Sequence, residues 1–250
     1  MEEFKGLPVS IVVPVKNEEL NIIVFLNRLL VEVSPPFEII IVFDEAEDKT
    51  PEHVRNFFNL DLQNIKLIRN DSKPGFFGAI KKGIEASAFE HVVVTMADGS
   101  DRAADIDQLR RSSMQNTSDI VCASRFSGPQ NRTLRFPLKQ QLSKTASRIL
   151  GSLTAIPTRD VTNNFKLYRK ALFAKIDLAP ESSFEWSMEF TVKAYLDHCR
   201  ISEIETVWSD RQHGKSNFNL LKLLPKYTYW FGFLIFRKWA SAIIGFFQKP

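Results

Sequence analysis

The run Met96-Ala97-Asp98-Gly99-Ser100-Asp101 sets two carboxylates and a hydroxyl within four residues, directly after the apolar stretch His91-Val92-Val93-Val94-Thr95. Carboxylate oxygens are hard ligands of the kind that hold Mg2+ or Mn2+ against a substrate diphosphate. Mg2+ keeps several waters and takes one or two carboxylates plus phosphates, so Asp98, with Ser100 and Asp101 beside it, is enough for such a site. One acid after a strand is also a common turn former, so the reading needs company. Pro14-Val15-Lys16-Asn17-Glu18 and Asp44-Glu45 each follow an apolar run and add the acids Glu18 and Asp44. Lys73-Pro74-Gly75-Phe76-Phe77-Gly78 precedes a helical pattern whose first free amides could receive an anion. Together these groups suit a nucleotide diphosphate. The acids accept from base N–H and ribose hydroxyls, and hold the diphosphate through a divalent ion. The glycine spacing is neither that of a P-loop nor that of a dinucleotide fingerprint, which argues against an ATPase or a dehydrogenase.

Those four segments must converge, and the periodicity of the first half says how. Apolar runs at Ser10–Val15, Glu38–Phe43, Lys66–Arg69, His91–Met96 and Asp119–Ala123 alternate with helical patterns at Glu19–Val33, Pro51–Leu60, Gly75–Phe89 and Ile106–Gln115. That alternation predicts an α/β fold with a mostly parallel sheet flanked by helices. In such a sheet the carboxyl ends of the strands share one edge, where ligands bind. After Arg125 the pattern changes to a polar, basic loop at 126–137. A helix follows at Leu138–Leu153, a strand at Phe165–Tyr168, a helix at Phe184–Leu196, a strand at Ile201–Trp208 and a polar loop at 210–216.

The net charge of +4 hides an asymmetry. Residues 125–175 carry eleven Lys/Arg against the single acid Asp160, and residues 211–250 carry seven Lys/Arg and no acid. The second half is therefore suited to phosphates or lipid headgroups. A nucleic acid fits less well, because the aromatic residues gather late in the chain instead of alternating with the basic ones. Two cysteines, Cys122 and Cys199, have neither metal-ligand spacing nor the density of a disulfide framework, which points to a reducing, cytoplasmic setting. The acidic amino terminus does not read as a signal peptide, so the glycosylation sequon Asn70-Asp71-Ser72 carries no weight there.

Taken in order, the motifs resemble those of the family-2 glycosyltransferases of GT-A fold, especially the polyprenyl-phosphate (dolichyl-phosphate mannose synthase-like) branch. Val12–Glu18 is similar to the opening strand with its Pro-x-x-Asn-Glu, Ile39–Thr50 to the second-strand acidic motif, and Gly75–Ala86 to the glycine-rich turn and helix. Ser124-Arg125-Phe126 resembles a Ser-Arg-Tyr. Asp160-Val161-Thr162 with Phe165–Arg169 resembles Asp-x-Thr…Phe-(Arg/Lys)-x-Tyr-Arg, and Arg211–Ser216 an Arg-x-x-Gly-x-Ser loop. The resemblance implies an inverting glycosyltransferase that needs Mg2+ or Mn2+ as cofactor. Pro14, Glu18, Asp44, Gly75 and Asp98 would bind the nucleotide-diphosphate sugar, and Asp98, Ser100 and Asp101 the metal. Arg125, Arg132, Arg211, Lys215 and Ser216 would receive an acceptor phosphate, and Asp98, Arg125 and Asp160 would be catalytic. Two departures stand out: Met96 replaces the first Asp of the metal motif, and Phe43 the first Asp of the second-strand pair.

The acceptor decides the mechanism. A sugar hydroxyl must lose its proton and needs a positioned base, for which Asp160, Glu185 or Glu189 is available. A lipid phosphate is largely dianionic near neutrality and needs cations instead. The charge balance favours a polyprenyl phosphate. A glycan or glycolipid hydroxyl acceptor, and a non-catalytic nucleotide- or lipid-binding relative, remain as alternatives. The segment Tyr227–Phe247 is long enough to span a bilayer, but Arg237 and Lys238 at its centre cost about 2.5–3.5 kcal/mol each. Its nine Leu/Ile/Phe residues return about 0.3–0.6 kcal/mol apiece, so spanning is disfavoured. Two amphipathic interfacial helices meeting at Arg237-Lys238 fit better, which predicts a catalytic domain over 1–216 and membrane-associating helices over 217–250. A helix packed on the core or in a homo-oligomer contact is the alternative.

Overall fold

The computed structural model describes residues 6–58, 64–128, 138–179, 181–207, 209, 213 and 220–247. The alternation of the first half becomes β1 (Val9–Val15), α1 (Ile22–Glu32), β2 (Phe37–Phe43), α2 (Thr50–Phe58), β3 (Ile65–Arg69), α3 (Phe76–Glu85), β4 (His91–Val94), α4 (Asp105–Asn116) and β5 (Ile120–Ser124). There follow α5 (Leu138–Thr154), β6 (Lys166–Arg169), α6 (Leu172–Lys175), α7 (Trp186–Leu196), β7 (Ile201–Glu205) and α8 (Leu220–Phe247). The strands form one sheet in the order β3-β2-β1-β4-β6-β5-β7. Every pairing is parallel except those of β6, which runs antiparallel between β4 and β5. The carboxyl ends of β1, β2, β4 and β5 therefore share one edge with the amino end of β6, and the segment 160–165 reaches the same edge.

Both faces of the sheet are covered, so the strands read as continuous apolar runs instead of alternating ones. Val9, Ile11, Val13 and Val15 of β1 face α1 and α4, where Ile22, Phe25, Leu26, Leu29, Ile106 and Leu109 pack. Val12 faces the other way, onto α3, in a buried cluster that also holds Ile80, Ile84, Trp186 and Phe190. Burying each such side chain contributes about 1.5–3 kcal/mol, which fixes the strand register and hence the height at which each strand ends.

The carboxyl-terminal segment corrects one expectation. Instead of two helices meeting at Arg237-Lys238, α8 is a single helix through that pair. Neither residue breaks a helix, and Lys238 is held on the protein side, its Nζ 4.8 Å from the centre of the Tyr195 ring. Leu223, Trp230 and Leu234 of α8, spaced to share one face, bury against Leu150 of α5 and Met188 and Val192 of α7. Tyr229, Phe236, Trp239 and Ile243 form a separate, exposed stripe. No helix among the described residues is long and apolar enough to cross a membrane.

Candidate active site

At the end of β2, Asp44 organises the glycine loop. Its Oδ1 accepts from Asn70 Nδ2 at 2.7 Å and its Oδ2 from the Gly75 backbone N–H at 2.8 Å. Asn70, buried after β3, also donates to the Lys73 carbonyl and accepts from Ser72 through its Oδ1. Gly75 has φ of +114°, a conformation that only glycine adopts without strain. A β-carbon at Gly78 would lie 1.8 Å from the Lys73 carbonyl oxygen, so this glycine lets the loop fold back on the first turn of α3. Each Asp44 oxygen retains a further lone pair for a ligand.

The end of β1 is locked to the same region. Pro14 is buried and pairs in register with Val42. Asn17, at φ of +57°, donates its N–H to Asp48 Oδ2, and Glu18 donates its N–H to Thr50 Oγ1. Asp48 Oδ1 in turn accepts from the backbone N–H and the hydroxyl of Thr50, the residue that opens α2. Glu18 Oε2 accepts from Asn21 Nδ2, which also reaches the His213 carbonyl at 3.2 Å. His213 thus touches the β1 end of the site.

β4 ends at Val94, two residues earlier than the apolar run suggests, because Asp101 claims the next polar groups. Its Oδ2 accepts from Thr95 Oγ1 at 3.0 Å and from the Met96 N–H at 3.1 Å. Asp98 Oδ1 accepts from the Ser100 N–H, closing a turn through Gly99, and the Ser100 carbonyl accepts from Ser209 N–H. Burial and the charge of Asp98 push the Asp101 carboxyl up to about 7. Two carboxylates so placed repel one another unless a cation or proton lies between them.

Beyond β5, Arg125 and Asp160 form a tightly bonded pair. Asp160 is fully buried. Its Oδ2 accepts from the Arg125 backbone N–H at 3.0 Å and from Nε at 2.7 Å, and its Oδ1 accepts from Nη2 at 2.9 Å and from Thr162 Oγ1. Burial alone would lower the guanidinium pKa, but Asp160 outweighs it and holds Arg125 above its ordinary value. Beneath the pair, the fully buried Lys166 of β6 donates to the Val161 carbonyl, Ser187 Oγ and Thr191 Oγ1, which fixes the 160–165 segment against α7.

The strand edge thus gathers Glu18, Asp44, the Asp98–Asp101 pair and the Arg125–Asp160 pair, and comparison with known proteins says which family has this chain's sequence pattern. The model of glycosyl transferase family 2 matches residues 10–177. The chain belongs to this family. It is similar to the polyprenol monophosphomannose synthase of Mycolicibacterium smegmatis, 23% identical over 229 residues that cover 88% of this chain and 85% of that protein. It is also similar to an undecaprenyl-phosphate 4-deoxy-4-formamido-L-arabinose transferase of Aeromonas hydrophila, 24% identical over 86% of this chain and 64% of that one. Among solved structures, glucosyl-3-phosphoglycerate synthase from Mycobacterium tuberculosis, in complex with Mn2+ and UDP, superposes with a TM-score of 0.64 at 13% identity. The match covers 88% of this chain and 75% of that one. S. aureus TarS 1-349 with UDP-GlcNAc gives 0.59 at 22% identity, over 84% of this chain and 60% of the other. The fold is GT-A, and the chain is a nucleotide-sugar-dependent glycosyltransferase.

Within this family member the residues expected from sequence fall into three groups. Pro14, Glu18, Asp44, Gly75, Asp98, Ser100 and Asp101 stand at the ends of β1, β2 and β4 and in the loop before α3. Arg125 and Asp160 stand together at the β5 and β6 ends. Arg132, Arg211, Lys215 and Ser216 lie outside the described residues. Among the described residues no group of three or more His, Cys, Asp or Glu side chains is placed to hold a metal ion. A cation held by Asp98 and Asp101 would have to take its remaining ligands from phosphate and water. Sequence reasoning missed Asn70 as the organiser of the glycine loop; its only signal was an Asn-x-Ser turn after a strand. It also missed the link from α8 to the site, where Lys226 bonds Glu185 and the Tyr227 hydroxyl donates to the Phe184 carbonyl.

Proposed function

We propose that this chain transfers a sugar from a nucleotide-diphosphate sugar to a polyprenyl phosphate, with inversion at the anomeric carbon. The observation that carries this reading is the Arg125–Asp160 pair. A hydroxyl acceptor needs a carboxylate with lone pairs to spare, and Asp160 has both oxygens committed to Arg125 and Thr162. Glu189 is engaged likewise, by Ala179 N–H and Lys193 on Oε1 and by Ser182 Oγ on Oε2. A phosphate acceptor needs no base, and its charge is met by N–H donors such as those of Arg125. The names of the relatives in Mycolicibacterium and Aeromonas point to the same acceptor class.

In this reading Glu18, Asp44 and the loop at Gly75 hold the nucleoside end of the donor. Asp98 and Asp101 would hold Mg2+ or Mn2+, which would supply positive charge against the departing diphosphate. Arg125, with Arg132, Arg211, Lys215 and Ser216, receives the acceptor phosphate. The exposed stripe of Tyr229, Phe236, Trp239 and Ile243 on α8 rests on the membrane surface, together with Leu142, Ile149 and Leu153 of the neighbouring α5. In this reading the enzyme works at the cytoplasmic face of the membrane, where lipid phosphate and soluble donor meet.

The test is incubation of the protein with labelled nucleotide-sugars, Mg2+ or Mn2+ and a short polyprenyl phosphate. A lipid-linked sugar of inverted configuration is the expected product. Absence of any such product across the common donors would remove the acceptor assignment. A hydroxyl acceptor keeps one specific observation in its favour, the unpartnered Oε2 of Glu185, and predicts that Glu185→Gln abolishes turnover on a glycan or glycolipid.

A further inference from the structure

We infer that Lys226 of α8, held in place by Glu185, is an anion-binding arm at the acceptor end of the site; this rests on the polyprenyl-phosphate reading and adds a residue to it. Lys226 Nζ donates to Glu185 Oε1 at 2.5 Å and to the Glu181 carbonyl at 2.8 Å. An ammonium has three N–H donors, so one remains. The Lys226 side chain is 38% exposed, so that donor can be reached from outside, while the Glu185 side chain is only 3% exposed.

Three contacts tie this pair to the site. Phe184, preceding Glu185, stacks on Phe76 at 4.3 Å between ring centres, one residue after the Gly75 that Asp44 binds. Tyr227, following Lys226, donates its hydroxyl to the Phe184 carbonyl. Ser187, two residues after Glu185, donates its hydroxyl to the Asn163 carbonyl, in the segment that begins at Asp160. Lys226, like Arg125, is a cation pinned by a buried carboxylate. Pinning fixes the charge in position before the ligand arrives and lowers the ordering cost of binding.

A second feature points to a ligand here. Glu185 Oε2 is buried and has no hydrogen-bond partner, although Oε1 is bonded to Lys226 and to the Ser183 N–H. A buried carboxylate oxygen left unpaired is costly and calls for a donor. An anion carrying a hydroxyl or an ordered water would satisfy both halves of the pair, the anion on Lys226 and the O–H on Glu185.

The experiment is binding of farnesyl phosphate, with farnesol as the uncharged control, to the whole protein and to Lys226→Met, Lys226→Arg, Glu185→Gln and the remote, exposed Lys175→Met. The expected result is a loss of about tenfold or more in farnesyl phosphate affinity for Lys226→Met, the size of one charge-assisted hydrogen bond. Lys226→Arg retains most of the affinity, Glu185→Gln loses part of it, Lys175→Met none, and farnesol binding is the same in all. Unchanged farnesyl phosphate affinity in Lys226→Met overturns the inference alone. Equal losses of farnesol and farnesyl phosphate also overturn it, since the lysine would then only hold α8. A wild-type protein that does not prefer farnesyl phosphate to farnesol overturns the acceptor reading and the inference with it.

Discussion

Arg125 and Asp160 are bonded through three nitrogen atoms of one residue and both carboxylate oxygens of the other, across the junction between β5 and β6. The backbone N–H of Arg125 is one of those donors, so the pair fixes the main chain at the end of β5 as well as the guanidinium. Removing the charge from one partner leaves the other buried and uncompensated, which costs about 3–5 kcal/mol. Asp160→Asn is therefore expected to lower thermal stability markedly and to weaken acceptor use, while donor binding at the β1 and β2 ends survives. Unfolding curves and donor titrations on the variant check this. Stability like that of the native chain would mean that the pair contributes little.

Asp98 is the carboxylate assigned to the cation. Asp98→Ala should leave the fold intact, since among the described residues its side chain makes one hydrogen bond, to the Ser100 N–H, and abolish any tightening of nucleoside diphosphate binding by Mn2+. Calorimetry with and without the metal reads this directly. Metal-dependent tightening that persists in the variant would move the cation elsewhere.

Gly78 has no room for a side chain, because the Lys73 carbonyl lies where a β-carbon would go. Gly78→Ala is expected to push the loop away from α3 and to break the Asp44–Gly75 contact. Nucleotide affinity should then fall well before global stability does. Asn70→Ala should reproduce the effect by removing the bond to Asp44. Variants that bind nucleoside diphosphates as well as the native chain would show that the loop does not shape the donor site.

The exposed stripe on α8 gives a fourth expectation. Phe236→Asp with Trp239→Asp should reduce sedimentation with vesicles containing anionic lipid, and leave binding of a water-soluble nucleotide unchanged. The two residues are 69% and 58% exposed, so the fold loses little by the change. Vesicle binding that survives both substitutions would argue for another membrane contact.

Much of the fold was legible because β1, β2 and β4 are apolar runs that each end in chemistry-bearing residues, and periodicity identifies such elements directly. The antiparallel placement of β6 was not legible. Nor was the place of Lys166, whose charge suggests an exposed position but which is buried among Val161, Ser187 and Thr191. The continuity of α8 was hidden for a related reason. Arg237 and Lys238 look like a break in an apolar helix, yet Lys238 reaches the Tyr195 ring from within it. The positions of Glu18, Asp44 and Asp98 at strand ends could be read from the sequence, whereas the contacts of Asn70 and Lys226 are with partners distant in sequence. Such pairings exist only once the sheet order is set.

The central claim is that the acceptor is a lipid phosphate, and one comparison addresses it. The protein is supplied with its nucleotide-sugar donor, Mn2+ and either a polyprenyl phosphate or the corresponding polyprenol, and the lipid product is followed by mass spectrometry. The account predicts a glycosylated product from the phosphate and none from the alcohol. Transfer to the alcohol, or to a glycan hydroxyl, with none to the phosphate would contradict it.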